Sequence, residues 1–189
     1  MGTVYKVLGQ AASSQSSLTI TTTVLSAANV ATITTSAAHG FVVGQQVSVI
    51  LTTGVVAYDG NRTVASVPTS TTFTFDSVSP AIASATVSGT VTGFSWFDLY
   101  ACPSATATVV SSLVITNRGN NAGYYNIAID TVNSGQPGVA KMVVQNDLAA
   151  ARETIALTIG LITDATNKYI RVAASNADFT FSLYGSEIS

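Results

Sequence analysis

The feature that most constrains this chain is its two-residue alternation, repeated in short runs from one end to the other. "NVATITTS" sets Val30, Thr32 and Thr34 on one side and Ala31, Ile33 and Thr35 on the other, and "TFTFD" points Phe73 and Phe75 the same way. Successive side chains of an extended chain face opposite directions, so a period of two is the pattern of a strand with one buried face. Strands are expected near residues 3–8, 18–24, 30–35, 46–51, 62–67, 71–76, 85–91, 97–101, 109–117, 122–130, 141–145, 153–162, 169–175 and 179–183. Turn-forming clusters such as "YDGN", "NRGNNAG", "NSGQPG" and "SNAD" fall between most of them. One helical turn is expected, in "NDLAAARE" with Asp147 as its cap, and it is too short to organise a fold. The chain reads as all-β.

Composition agrees and narrows the functions. Charged residues make up 8% of the chain, against about a quarter in an ordinary globular protein, and Ser and Thr take their place. Threonine is β-branched and suits a pleated surface, while helices lack the Lys and Glu that would solvate them. The net charge is -2 and the seven basic residues are scattered, which argues against a nucleic-acid partner, since displacing counterions from phosphates needs a concentrated cationic face. No apolar run is long enough to span a membrane, and the N-terminus lacks the basic and apolar regions of a signal peptide. Lys6 stands where a myristoylation signal would need Ser or Thr. Cys102 is the one cysteine, so no intrachain disulfide and no cysteine-based metal cluster is expected; it reads as a small core residue of a chain made in a reducing cytoplasm.

No catalytic, cofactor or metal site is expected from the residues. His39, the single histidine, lies in "SAAHGFVVG" with no nucleophile or further ligand nearby, and reads as a corner residue bonded to a backbone carbonyl ahead of a glycine free to take positive φ. Asp59 and Asn61 in "AYDGNRT" lack the regular carboxylate spacing of a calcium loop and read as an Asp-Gly turn. Asp98, Asp130, Asp147, Asp164 and Asp178 supply acids for glycoside hydrolysis only if folding pairs them, and one Trp is a thin aromatic platform for sugar. "NSGQPG" has neither the lysine nor the helix of a phosphate loop. The residues that suit subunit contact are Trp96, Phe97, Tyr124 and Tyr125, with Arg118 and Asp130 as a pair or as rim charges.

Residues 24–93 hold three charged side chains, Asp59, Arg62 and Asp76, and no Trp; residues 94–189 hold most of the charge and most tyrosines. "YKVLGQ" and "FSLYGSE" share an apolar alternation ending in glycine and would pair as terminal strands of one sheet. The expected organisation is a discontinuous, jelly-roll-like β-sandwich formed by 1–23 and 94–189, for assembly and anchoring, with a small projecting β-barrel or β-sheet module of 24–93 inserted. Such insertion is cheap because loop-closure entropy grows slowly with length.

The segments "GTVYKVLGQAASS", "WFDLYACPSATATVVSSLVITNRGNNAGYYNIAID", "ETIALTIGLI" and "ADFTFSLYGSEIS" resemble a family of small virion structural proteins of tailed bacteriophages, especially those of cyanobacteria. The inserted "ANVATITTSAAHGFVVGQQVSVI" and "YDGNRTVASVPTSTTFTF" are similar to a β-module of phage tail and other virion proteins, with Gln45 where an acidic residue is common and Arg62 where an aromatic or small one is. The resemblance implies a virion structural protein without enzymatic activity, made in the host cytoplasm. It would be a capsid decoration, cement or head-fibre subunit that stabilises the particle by non-covalent contacts. A neck, baseplate or tail-fibre accessory protein is the alternative, and a receptor- or carbohydrate-binding module another. Expected partners are other virion proteins and copies of the same chain, with a trimer favoured, and neither nucleic acid nor membrane.

Overall fold

The computed structural model describes residues 4–15, 17–25, 29–53, 58–77 and 85–188. The chain forms two compact units, residues 1–14 with 95–189, and residues 15–94. Strands are numbered in chain order through both.

The discontinuous unit contains β1 (Val4–Ala12), β9 (Phe97–Ala101), β10 (Ala107–Asn117), β11 (Gly123–Asp130), β12 (Met142–Ala149), β13 (Thr154–Thr163), β14 (Tyr169–Ala174) and β15 (Phe179–Ile188). They form two antiparallel four-stranded sheets, β1-β15-β10-β13 and β12-β11-β14-β9. Counting these eight strands one to eight along the chain turns the orders into 1-8-3-6 and 5-4-7-2, the arrangement of a jelly roll. One core serves both sheets: Leu113, Ile115, Phe179, Phe181 and Leu183 from the first pack with Tyr125, Ile127, Ile170 and Val172 from the second.

The terminal strands pair, Tyr5 opposite Ser186 and Ala12 opposite Thr180, with an irregularity between Val7 and Gly9. Gly9 and Gly185 belong to this geometry, because a Cβ on the first would fall on the Leu99 carbonyl oxygen and one on the second on that of Val109. At one end of the sandwich the loops are stitched together by side chains. Ser13 Oγ donates to the Asn176 carbonyl (2.8 Å), Asn117 Nδ2 to the carbonyls of Asn121 (2.8 Å) and Ala150 (3.0 Å), and Arg152 to Asn120 Oδ1 (2.7 Å).

The second unit is one seven-stranded antiparallel sheet built from β2 (Leu18–Leu25), β3 (Val30–Thr35), β4 (Gln46–Leu51), β5 (Gly60–Thr63), β6 (Ser66–Thr69), β7 (Thr72–Asp76) and β8 (Ala85–Gly93), ordered β5-β4-β8-β2-β3-β7-β6. Its two outermost strands are consecutive in the chain, and the residues between them bond both ways. Val64 N–H donates to the Gln45 carbonyl (2.9 Å) on the β4 side, and Ala65 N–H to the Thr74 carbonyl (2.7 Å) on the β7 side. The sheet therefore curls on itself around Ile20, Ile33, Val47, Val49, Tyr58, Phe73, Phe75 and Val91.

Three sequence expectations are corrected. The boundary after residue 23 would cut through β2, which is hydrogen-bonded to β3 and β8 and belongs wholly to the second unit. The strand expected over 62–67 is two strands, because the chain changes partner at Val64 and Ala65 while its alternation runs on. "NDLAAARE" contains no helical turn: Asp147 and Leu148 lie in β12, and Arg152 takes a positive φ of 59° in the turn to β13.

Candidate functional site

The four residues expected to make contacts are not gathered into one surface. Phe97 and Tyr125 point into the sandwich. Phe97 meets Phe181 edge-on (centroids 5.9 Å apart), and Tyr125, fully buried, packs against Phe179 and donates its hydroxyl to Asp147 Oδ2 (2.6 Å). Tyr125 is corrected accordingly: its ring is core and offers a partner nothing. Burial, followed by the hydrogen bond to Asp147 and that residue's charge, raises its phenol pKa above the ordinary value. Tyr124 is half-buried, and its N–H donates to Ser175 Oγ (2.9 Å).

Trp96, also half-buried, belongs to the most elaborate polar cluster of the molecule. The Arg171 guanidinium lies 6.0 Å from the Trp96 ring centroid, and its Nε donates to Asp98 Oδ1 (3.1 Å). One terminal nitrogen of Arg171 donates to the Gly135 carbonyl (3.1 Å) and lies 3.6 Å from Asp130 Oδ2, while Lys141 Nζ pairs with the other Asp130 oxygen. Alternation dictates this placement. Ile170 and Val172 of β14 face the core, so Arg171 between them must emerge on the opposite side, where the segment after β11 closes over it. Burial would raise the Asp130 pKa, but the Lys141 ammonium and the N–H groups of Val132 and Thr131 outweigh it and hold the carboxyl below its ordinary value. Two acids and two bases thus neutralise one another, and the cluster pins a loop to a sheet.

The Arg118–Asp130 pairing is not formed. Arg118 precedes β11 and donates from Nε to the Asp178 carbonyl (3.2 Å), whereas Asp130 ends β11 at the other end of the sandwich. Two further acids accept backbone N–H groups: Asp164 Oδ1 those of Thr166 (2.7 Å) and Asn167 (2.9 Å), and Asp59 Oδ1 that of Leu51 (2.7 Å). Arg62 of β5 donates to the Tyr58 and Asp59 carbonyls (3.2 and 2.8 Å) and lies over the Phe75 ring, so the entry to β5 is held by polar groups of its own segment, and the expected Asp-Gly turn leads directly into a strand at Gly60.

His39 is a buried corner, and the sense of its bond is the reverse of that expected. Nδ1 accepts the Phe41 N–H (2.9 Å) across Gly40, whose φ is 66°, and the ring stacks on Phe41 (4.7 Å) and meets Phe73 edge-on (5.6 Å). The accepting Nδ1 makes the imidazole neutral with its proton on Nε2, and that nitrogen is buried without a hydrogen-bond partner. Cys102 is fully buried, with Sγ near the Thr106 carbonyl (3.2 Å) and Thr108 Oγ1 (3.4 Å). Among the described residues, no three His, Cys, Asp or Glu side chains are placed to hold a metal ion, and no helix is long and apolar enough to cross a membrane.

The surface that sequence reasoning missed is the outer side of the β1-β15-β10-β13 sheet. Val7 of β1, Tyr184 of β15, Val114 of β10 and Thr158 of β13 stand on it, half-buried or exposed, while their neighbours Leu8, Leu183, Leu113 and Leu157 pack into the core. The signal was present in the four alternating strands, but it is spread over segments far apart in the chain. No protein-family model matches the chain, and no curated protein is similar to it at a significant level.

Proposed function

We propose that this chain is a structural subunit of a bacteriophage virion, a capsid decoration, cement or head-fibre protein that holds a particle together by non-covalent contacts. The observation that carries the reading is the jelly-roll strand order, 1-8-3-6 facing 5-4-7-2, an architecture used by viral capsid and lectin domains. The reading is supported by the use made of the polar side chains: the acids and bases named above hold turns and close a loop onto a sheet. The phage resemblance of "VLGQ", "VVSSLVITNRG" and "LYGSEI" points the same way.

In this role the sandwich anchors and assembles, the curled module projects, and contact area rather than chemistry supplies the stabilisation by mass action. The partners are other virion proteins and copies of the chain, a trimer by the resemblance. The test is mass spectrometry of density-banded particles from the infected culture in which the chain is made. Stoichiometric peptides co-banding with particles are expected; a chain abundant in the lysate yet absent from the bands overturns the reading. Immunogold labelling of the same particles separates a head position from a neck, baseplate or tail-fibre position. Binding of the isolated module to host-surface glycan would instead favour a receptor- or carbohydrate-binding role.

A further inference from the structure

The two sheets of the sandwich differ in what covers their outer sides. On the β12-β11-β14-β9 sheet, Asn126, Ala128, Arg171 and Ala173 of the two central strands are buried although they do not join the core, and the segment between β11 and β12 lies over Arg171; the edge strand β12 keeps a large apolar residue, Leu148, exposed on that side. On the β1-β15-β10-β13 sheet the corresponding residues remain half-buried or exposed, with Tyr5 at 62%, Val7 at 49% and Ile162 at 65%.

This open face carries no charge among the described residues. Its side chains are those of Ser, Thr, Ala, Val, Gln, Tyr and Ile, and the nearest ion pair, Lys6 with Glu187, lies on the inner side, where Tyr100 donates to Glu187 (2.9 Å). A sheet face meant for water ordinarily alternates core residues with polar ones, and the polar residues here are all uncharged and interspersed with Val, Ile and Tyr. Interface cores, in contrast, are depleted of charge.

We infer that the outer face of the β1-β15-β10-β13 sheet packs against the same face of a second copy of this chain. An uncharged face is matched by an uncharged partner, and an identical face meets that condition by construction and carries the same twist. Small Ser, Thr and Ala side chains let two aligned sheets approach to the usual spacing of roughly 10 Å. Four strands about 4.8 Å apart and some nine residues long at about 3.3 Å per residue give roughly 600 Å² per copy, so a pair buries about 1,200 Å², the lower bound of a specific interface. Two faces back to back cover each other completely, whereas three around an axis would each share one face between two neighbours; two copies are therefore assigned, not the three that the resemblance implies. The inference rests on the reading above only in taking the chain to assemble with itself.

The test is the solution mass by light scattering at micromolar concentration, for the full chain and for two double variants, Thr116→Glu with Ser182→Glu and Thr116→Lys with Ser182→Lys. Both positions lie on the open face, on β10 and β15. A dimer is expected for the unaltered chain. Each variant alone should dissociate at least about tenfold more readily, since like charges then face each other, and an equal mixture of the two should recover the dimer. A monomeric or trimeric unaltered chain, or variants that keep the dimer mass unmixed, overturns the inference. Far-UV circular dichroism reads the folding of the variants; should one lose its β spectrum, Thr158→Asp on the outermost strand replaces it under the same criteria. The two readings fail separately. A monomer overturns the face while particle banding is untouched, and loss of banding with an intact dimer overturns the virion role alone.

Discussion

Single atoms decide more here than the composition suggests. Gly9 is small because the Leu99 carbonyl oxygen occupies the place of its side chain, so Gly9→Ala must displace β1 from β9 or from β15. The expected outcome is a loss of about 2 kcal/mol or more, read by chemical denaturation of the sandwich, with the second unit unaffected. Asp130 is the one carboxylate in the cluster that faces both Lys141 and Arg171, and its removal leaves the buried Arg171 guanidinium with Asp98 as its remaining counter-charge. Asp130→Ala should cost about 3 kcal/mol, as expected when one member of a buried ion pair is deleted, and faster hydrogen exchange in the segment between β11 and β12 would identify the cause. A variant as stable as the parent would show that the cluster is ornamental.

Between elements, the acids that join strands make the sandwich sensitive to acid. Hydrogen bonds from Lys6 and then Tyr100 hold Glu187 below its ordinary pKa, tying β15 to β1 and β9, and Asp130 is depressed as described. A carboxyl depressed in the folded state contributes stability that is complete above its unfolded value, about 4, and is lost as the pH falls through the folded one. Thermal melts should thus be level from pH 7 to 5 and fall steeply below 4, with Glu187→Gln flattening part of the decline; a level profile down to pH 3 would contradict the assignment. Elements were also the scale at which the sequence was most readable. Alternation located nearly every strand and paired "YKVLGQ" with "FSLYGSE", because a buried core face enforces a period of two. It could not show that 62–67 changes partner at Val64, since alternation is indifferent to which neighbour a backbone bonds. Nor could it show that Tyr125 turns inward while Tyr124 turns out, a choice set by register across β11 and β14. The open sheet face escaped notice for the same reason, as its residues meet only when strands remote in sequence align.

Across the whole molecule, the division into units predicts separable folding. Residues 15–94 enclose their own core, and the curled sheet closes through Val64 and Ala65 without help from the rest of the chain. Expressed alone, this segment should give a cooperative thermal transition and a dispersed amide spectrum, and the remainder, joined by a short Gly-Ser linker, should keep the pairing of β1 with β15. A segment that is unfolded on its own would place part of its core elsewhere. That pairing also sets an order of events during synthesis. The contiguous unit can close while the ribosome is still translating, but β1 has no partner until β15, far along the chain, appears, on the order of ten to thirty seconds later at roughly 5–20 residues per second. Throughout that interval an unpaired strand carrying Tyr5, Val7 and Leu8 is exposed to other nascent copies, so chaperone occupancy and temperature during synthesis weigh on how much of this protein matures as well as equilibrium stability does.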